Sequence, residues 1–252
     1  MSNMIGFRLA TLLFLSSVAL AETLPAGTVV PVMINSSLNT AKGEADKKIE
    51  GRVMQDVPLL SGGKINAGSR INGHVVSVAK PESSQSGSSG ASIVLKFDTI
   101  EDHDRTIRLT VALLAVASMA AVAEAQAPIE INSDVDPVSQ WVTRQVGGDV
   151  VNRGRGQVAS HTGVVGTWLQ GYSVLVKLAP NPDAGCPDGP GYDRPQAVWI
   201  FSSAACGAYG WGDLKIARSG RADPFGEIEL KSARNIGIRG GSGWLLIAVA
   251  SK

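Results

Sequence analysis

The segment NPDAGCPDGPGYDRP (181–195) sets three carboxylates, Asp183, Asp188 and Asp193, at five-residue intervals around Cys186. Carboxylates in a glycine-rich loop do calcium chemistry when about six to eight oxygens converge. The spacing departs from the EF-hand pattern, however, and aspartate is equally a turn residue. The other cysteine is Cys206. An even pair in an exported chain reads first as a disulfide, here closing a loop of about 20 residues that would contribute ~3 kcal/mol. A zinc site would want a Cys-x-x-Cys pair, which is absent, and His74, His103 and His161 are scattered. A nucleophile elbow needs Gly-x-Ser-x-Gly, which neither GSSG (87–90) nor GGSG (240–243) supplies. GRG (154–156) lacks the third glycine of a dinucleotide loop. No catalytic residue, metal ligand or cofactor is therefore expected. The aromatics offer a binding chemistry instead: Trp199, Tyr209 and Trp211 could turn flat faces to a glycan or a peptide, although strand tryptophans also build cores.

The elements that position these residues read as strands. VVPVMI (29–34), IEGRVMQDVPLL (49–60), RINGHVVSV (70–78), SIVLKFDTI (92–100) and TIRLTVAL (106–113) are apolar or alternating runs separated by Gly and Asp turns. In the last, Ile107, Leu109, Val111 and Leu113 share one face. PESSQSGSSGAS (81–92) has a composition that predicts a mobile hairpin loop. LLAVASMAAVAEAQ (113–126) is alanine-rich, free of Gly and Pro, and predicts a helix that ends before Pro128. Beyond it lie all five tryptophans and further strand candidates: VVGTWLQ (164–170), YSVLVKLA (172–179), QAVWIFSS (196–203), GDLKIARSG (212–220) and WLLIAVAS (244–251).

Export and charge narrow the class. Arg8, the apolar LATLLFLSSV and Ala19-Leu20-Ala21 make residues 1–21 a secretory signal peptide, with the mature chain starting at Glu22. Residues 22–118 hold ten Lys/Arg and ten Asp/Glu, and residues 119–252 hold twelve of each. A neutral mature chain argues against nucleic-acid binding. The apolar stretch 109–123 is the candidate for weak membrane association.

Two five-residue stretches share a design. LPAGT (24–28) and INAGS (65–69) each run straight into a strand. Pro25 presets φ and Gly27 permits φ > 0, giving a tight bend, and Gly68 repeats the glycine with Asn66 in the proline position. LPAGT-VVPV, then EGRVMQDV, SGGK-INAGS-RINGHV and a strand ending FDTI resemble the C-terminal domain of TrbI-like proteins, the outer-membrane scaffolds of conjugation and type IV secretion machines. The resemblance covers roughly residues 24–113, and implies a β-barrel-like fold in the bacterial periplasm or outer envelope that assembles into rings.

The chain is therefore expected to be mostly β: a small barrel or sandwich (22–113), an Ala-rich helix or linker (114–132) and a C-terminal β domain with a disulfide (133–252). Its expected role is non-enzymatic assembly with envelope proteins or with itself. The alternative is glycan or peptide binding through the C-terminal aromatics.

Overall fold

The structure, a computed structural model, describes residues 22–84, 87–129, 141–180, 186, 193–221, 223 and 225–250. The expected signal peptide, Asp183 and Asp188 lie outside the described residues. The chain is mostly β, with 23 strands and one α-helix among the described residues.

Eleven strands form the main sheet: β1 (Glu22–Thr23), β2 (Val29–Ile34), β4 (Lys48–Val53), β7 (Arg70–Ala79), β10 (Ala91–Asp102), β11 (Arg105–Arg108), β12 (Val111–Ala117), β19 (Gly207–Tyr209), β20 (Lys215–Ile216), β21 (Glu227–Ser232) and β23 (Ser242–Ala248). The main path runs β1-β11-β10-β7-β4-β2-β23-β12-β19, and β21 pairs with both β10 and β20. Short two-stranded pairs decorate it: β3 (Leu38–Asn39) with β22 (Gly237–Ile238), β5 (Val57–Pro58) with β6 (Lys64–Ile65), and β8 (Glu82–Ser84) with β9 (Gly87–Ser89). The last pair is antiparallel and lies within the Ser/Gly stretch.

Period-two alternation decides which side chains enter the core. In β4, Ile49 and Val53 point in while Lys48, Glu50 and Arg52 point to solvent. In β10, Ile93, Leu95, Phe97 and Ile100 point in. Phe97 meets Trp244 of β23 edge-on, with centroids 5.9 Å apart. The backbone of β10 passes so close at this bulge that a Cβ on Gly73 would lie 2.3 Å from the Lys96 carbonyl oxygen, so only glycine fits. The sheet curls around this core without closing into a barrel. Between β12 and β21 the described residues form no ladder, and the segment before β21 approaches β12 through Gly220 N–H, which donates to Leu113 O at 2.7 Å.

Three central strands are buried on both faces. Val30, Val32, Trp244, Leu246, Val111 and Leu113 face the first core, whereas Val29, Leu245, Ile247, Ala112 and Leu114 face a second. Strands covered on both sides read as continuous apolar runs. This corrects one expectation about the Ala-rich stretch. Residues 113–117 belong to β12, and the helix α1 is Met119–Gln126, begun by Ser118, whose Oγ accepts from Ala121 N–H. Its small alanines lie inside β12 because the second layer presses against them. Residues 111–117 are buried, and no described helix is long and apolar enough to cross a bilayer. The stretch 106–113 divides into β11 and the start of β12, parted where Leu109 N–H turns to Asp98 O at 2.9 Å.

The second sheet has six strands in chain order: β13 (Val142–Arg144), β14 (Val150–Asn152), β15 (Gln157–Ser160), β16 (Gly163–Gln170), β17 (Ser173–Lys177) and β18 (Pro195–Ala197). The expected boundaries at 113 and 133 do not follow the sheets. β23, at the end of the chain, sits between β2 and β12 in the middle of the first sheet. The six-stranded unit is an excursion between strands of one platform, because the platform's apolar interior needs β23 to complete it.

Candidate binding surface on the second sheet

The two glycine turns have equivalent hydrogen bonding. Thr28 N–H donates to Pro25 O at 3.1 Å with Gly27 at φ 80°, and Ser69 N–H donates to Asn66 O at 3.2 Å with Gly68 at φ 88°. Gly27 N–H donates to Ala248 O, and Ala248 N–H to Thr28 O, both at 2.8 Å. Gly68 N–H donates to Val53 O at 2.8 Å, and Val53 N–H to Ser69 O at 2.9 Å. Each turn thus clamps the end of a neighbouring strand, β23 or β4.

Asn66, in the proline position, adds a polar anchor. Its Nδ2 and Ser69 Oγ each donate to Asp102 Oδ1 at 2.9 Å. Arg105 pairs with Asp102 Oδ2 and also donates to Lys64 O at 2.8 Å, while His103 Nδ1 lies 3.1 Å from Asp102 Oδ1. Burial pushes the Asp102 carboxyl up, but the hydrogen bonds from Asn66, Ser69, Arg105 and His103 outweigh it and hold the group well below the usual carboxylate range. Asp56 accepts from Ala67 N–H at 2.9 Å, and its carboxyl is lowered chiefly by Lys64 and then by that N–H. This corner is structural chemistry.

The predicted aromatics separate. Trp199 is 2% exposed in the second core, so it offers no face to a ligand. Tyr209 is half-buried, and its hydroxyl accepts from Cys206 N–H at 3.0 Å. Trp211 packs against the first core and donates from Nε1 to Gly237 O at 3.3 Å. The ligand-facing reading fails for Trp199 because the chain turns there. After Ala197 the expected strand QAVWIFSS ends, and Trp199 takes φ 54°. Two buried glutamines hold that turn: Gln55 Oε1 accepts from Trp199 N–H at 2.6 Å, and Gln145 Nε2 donates to Trp199 O at 3.0 Å. Gln55 also donates to Val174 O at 2.8 Å and accepts from Val174 N–H at 3.2 Å, binding the second sheet to the first.

Cys186 and Cys206 form the disulfide, with Cα atoms 6.0 Å apart and both residues buried, and Cys186 Sγ lies 3.8 Å from Leu114 O on β12. A disulfide of this kind is consistent with an oxidising, extracytoplasmic compartment. Asp193 is the one carboxylate of the five-residue series among the described residues. No group of three or more His, Cys, Asp or Glu gathers there as metal donors.

Besides Leu60, Met119 and Phe225, the exposed large apolar side chains lie on or beside the second sheet, where sequence reasoning did not place them. The inner face of the second sheet, with Val151, Val158, Val174 and Val176, covers the second core. β16 is central in that sheet, flanked by β15 and β17, yet five of its eight residues are exposed, among them Val164 at 63% and Leu169 at 46%. Beside one end of β16 opens a cleft of about 800 Å³. Val164, Val165, Leu178 and Pro180 supply apolar walls, and His161 and Lys177 also line it. Asp149, buried in the same wall, accepts from Ser203 N–H at 2.7 Å. At the other end, Tyr172 is 39% exposed and carries the Arg153 guanidinium over its ring at 5.1 Å. Trp141 is 52% exposed, and its neighbour Val142 pairs with Asn152, the residue before Arg153. The sequence signals a strand at 164–170 but holds no signal that its neighbours leave it uncovered.

Compared with known proteins, the sequence matches no family model and no curated protein.

Proposed function

We propose that the protein is a non-enzymatic, exported cell-envelope protein that works by protein–protein assembly, the curled main sheet serving as platform and the second sheet as contact region. The observation that carries this reading is the exposure of β16. A strand in the middle of a sheet is normally covered on at least one face, and exposed apolar side chains such as Val164 and Leu169 near its two ends suit an interaction surface. The disulfide fits an oxidising compartment, and the resemblance of residues 24–113 to TrbI-like scaffold domains points to the same compartment and mode of action. Light scattering across a concentration series tests it. The expected outcome is a mass that rises with concentration, or in mixture with an envelope protein, and that Leu169→Asp or Val164→Asp reduces. A monomer under every condition sinks the reading.

A second reading rests on the cleft, whose size and largely apolar walls with a few polar groups suit a small ligand or short peptide. It predicts a change in tryptophan fluorescence on titration with envelope glycans or peptides, and no response to any of them counts against it.

A further inference from the structure

The guanidinium of Arg153 is held over the Tyr172 ring with two of its nitrogens unpaired among the described residues. It sits in the 3-10 turn Arg153–Arg155, where Asn152 Oδ1 accepts from Arg155 N–H at 3.1 Å and Gly156 closes the turn. Trp168 N–H donates to Gly156 O at 3.0 Å, fixing the turn against β16, and the Tyr172 ring supports the guanidinium plane. Its Nε and Nη2 are shut off from solvent and meet no hydrogen-bond acceptor among the described residues. These two atoms form the edge that a carboxylate grips with two parallel hydrogen bonds. A guanidinium cannot shed its charge, so a desolvated, unpaired edge is unfavourable until an acceptor arrives.

The surroundings suit an acceptor carried on an apolar chain. Trp141, Leu169 and Tyr172 are exposed around this turn and the adjoining hairpin end. Trp, Tyr and Arg are the residue types that dominate binding energy at interfaces.

We infer that Arg153 anchors a carboxylate on an acidic, apolar segment of a partner protein, with Trp141, Leu169 and Tyr172 receiving the apolar side chains. The inference rests on the assembly reading and names its partner's chemistry. The incoming carboxylate displaces whatever shields the guanidinium edge, and pairing of the stranded charge favours that exchange.

Fluorescence anisotropy tests it with a labelled decapeptide of alternating aspartate and leucine, its lysine-for-aspartate counterpart, and vesicles of mixed phosphatidylglycerol and phosphatidylcholine. The acidic peptide is expected to bind, about tenfold more weakly to Arg153→Gln and to Arg153→Lys, since lysine keeps the charge but loses the two-pronged edge. Thermal melting of both variants should stay close to that of the parent, because only the contact with the Tyr172 ring is weakened and no hydrogen-bond partner is lost. Equal affinity of the parent and both variants for the acidic peptide overturns the inference, as does binding of vesicles in preference to it. A large loss of melting temperature in both variants also overturns it, by making Arg153 a structural residue. Light scattering on the same samples separates the two readings. Assembly unchanged by Arg153→Gln leaves the scaffold role and removes this anchor, whereas a monomer that still binds the acidic peptide through Arg153 does the reverse.

Discussion

Asp102 is the residue on which the second glycine turn depends. It is 1% exposed and accepts from Asn66 and Ser69 on one oxygen and from Arg105 on the other. Its folded carboxyl titrates below the unfolded value of about 3.9. The stability it contributes is therefore fully present above that value and is lost as pH falls below it. Asp102→Asn should lower unfolding free energy by ~2–3 kcal/mol at pH 7. The difference from the parent should shrink as pH drops from 4 toward 2, as read by urea denaturation at each pH. A constant difference across that range would falsify the assignment. The turns themselves were readable from sequence, since Pro25, Gly27 and Gly68 carry their φ requirement with them. The partnership of Asn66 with Asp102 was not, because 36 positions separate the two residues.

Among the elements, the second sheet is held to the first by side chains that mimic backbone. Gln55 offers its amide to Val174 N–H and C=O as a neighbouring strand would, and takes Trp199 N–H as well. Gln55→Leu keeps the volume but strands three buried backbone groups, so it should cost ~2–3 kcal/mol. It should also speed amide exchange at Val174 and Trp199 before the main sheet opens. Hydrogen exchange that stays slow at both amides would remove Gln55 from this role. Strand periodicity predicted β2, β7, β10, β16, β17 and β23 with small errors at their ends, but ran β4 on to residue 60 where the structure ends it at Val53. It misread residues 113–117 of β12 as helix, because alanine favours a helix locally and only the pressure of two cores makes small residues necessary in a strand. Nothing in the residue types of Gln55 or Gln145 distinguishes a buried clasp from a solvated side chain.

For the whole molecule, the placement of β23 decides what can fold alone. Its seven residues are all buried, and it supplies the ladder between β2 and β12 as well as Trp244 for the first core. A fragment ending at residue 113 leaves the inner edge of β2 unpaired and the core open. Residues 22–113 expressed alone should therefore lack dispersed amide chemical shifts, whereas the chain from residue 22 through 250 should show them. A folded fragment would restore the division at 113. By itself, the sequence determined the class of secondary structure, the two turns, the pairing of Cys186 with Cys206 and the neutral charge. These follow from local periodicity, backbone preference and composition. Tertiary structure alone decided that the last strand enters the middle of the first sheet, that Trp199 is core, and that the uncovered surface belongs to β16 and Arg153. Each of those depends on which apolar face finds cover from distant parts of the chain, and the number of such pairings grows far beyond what residue types and spacing can specify.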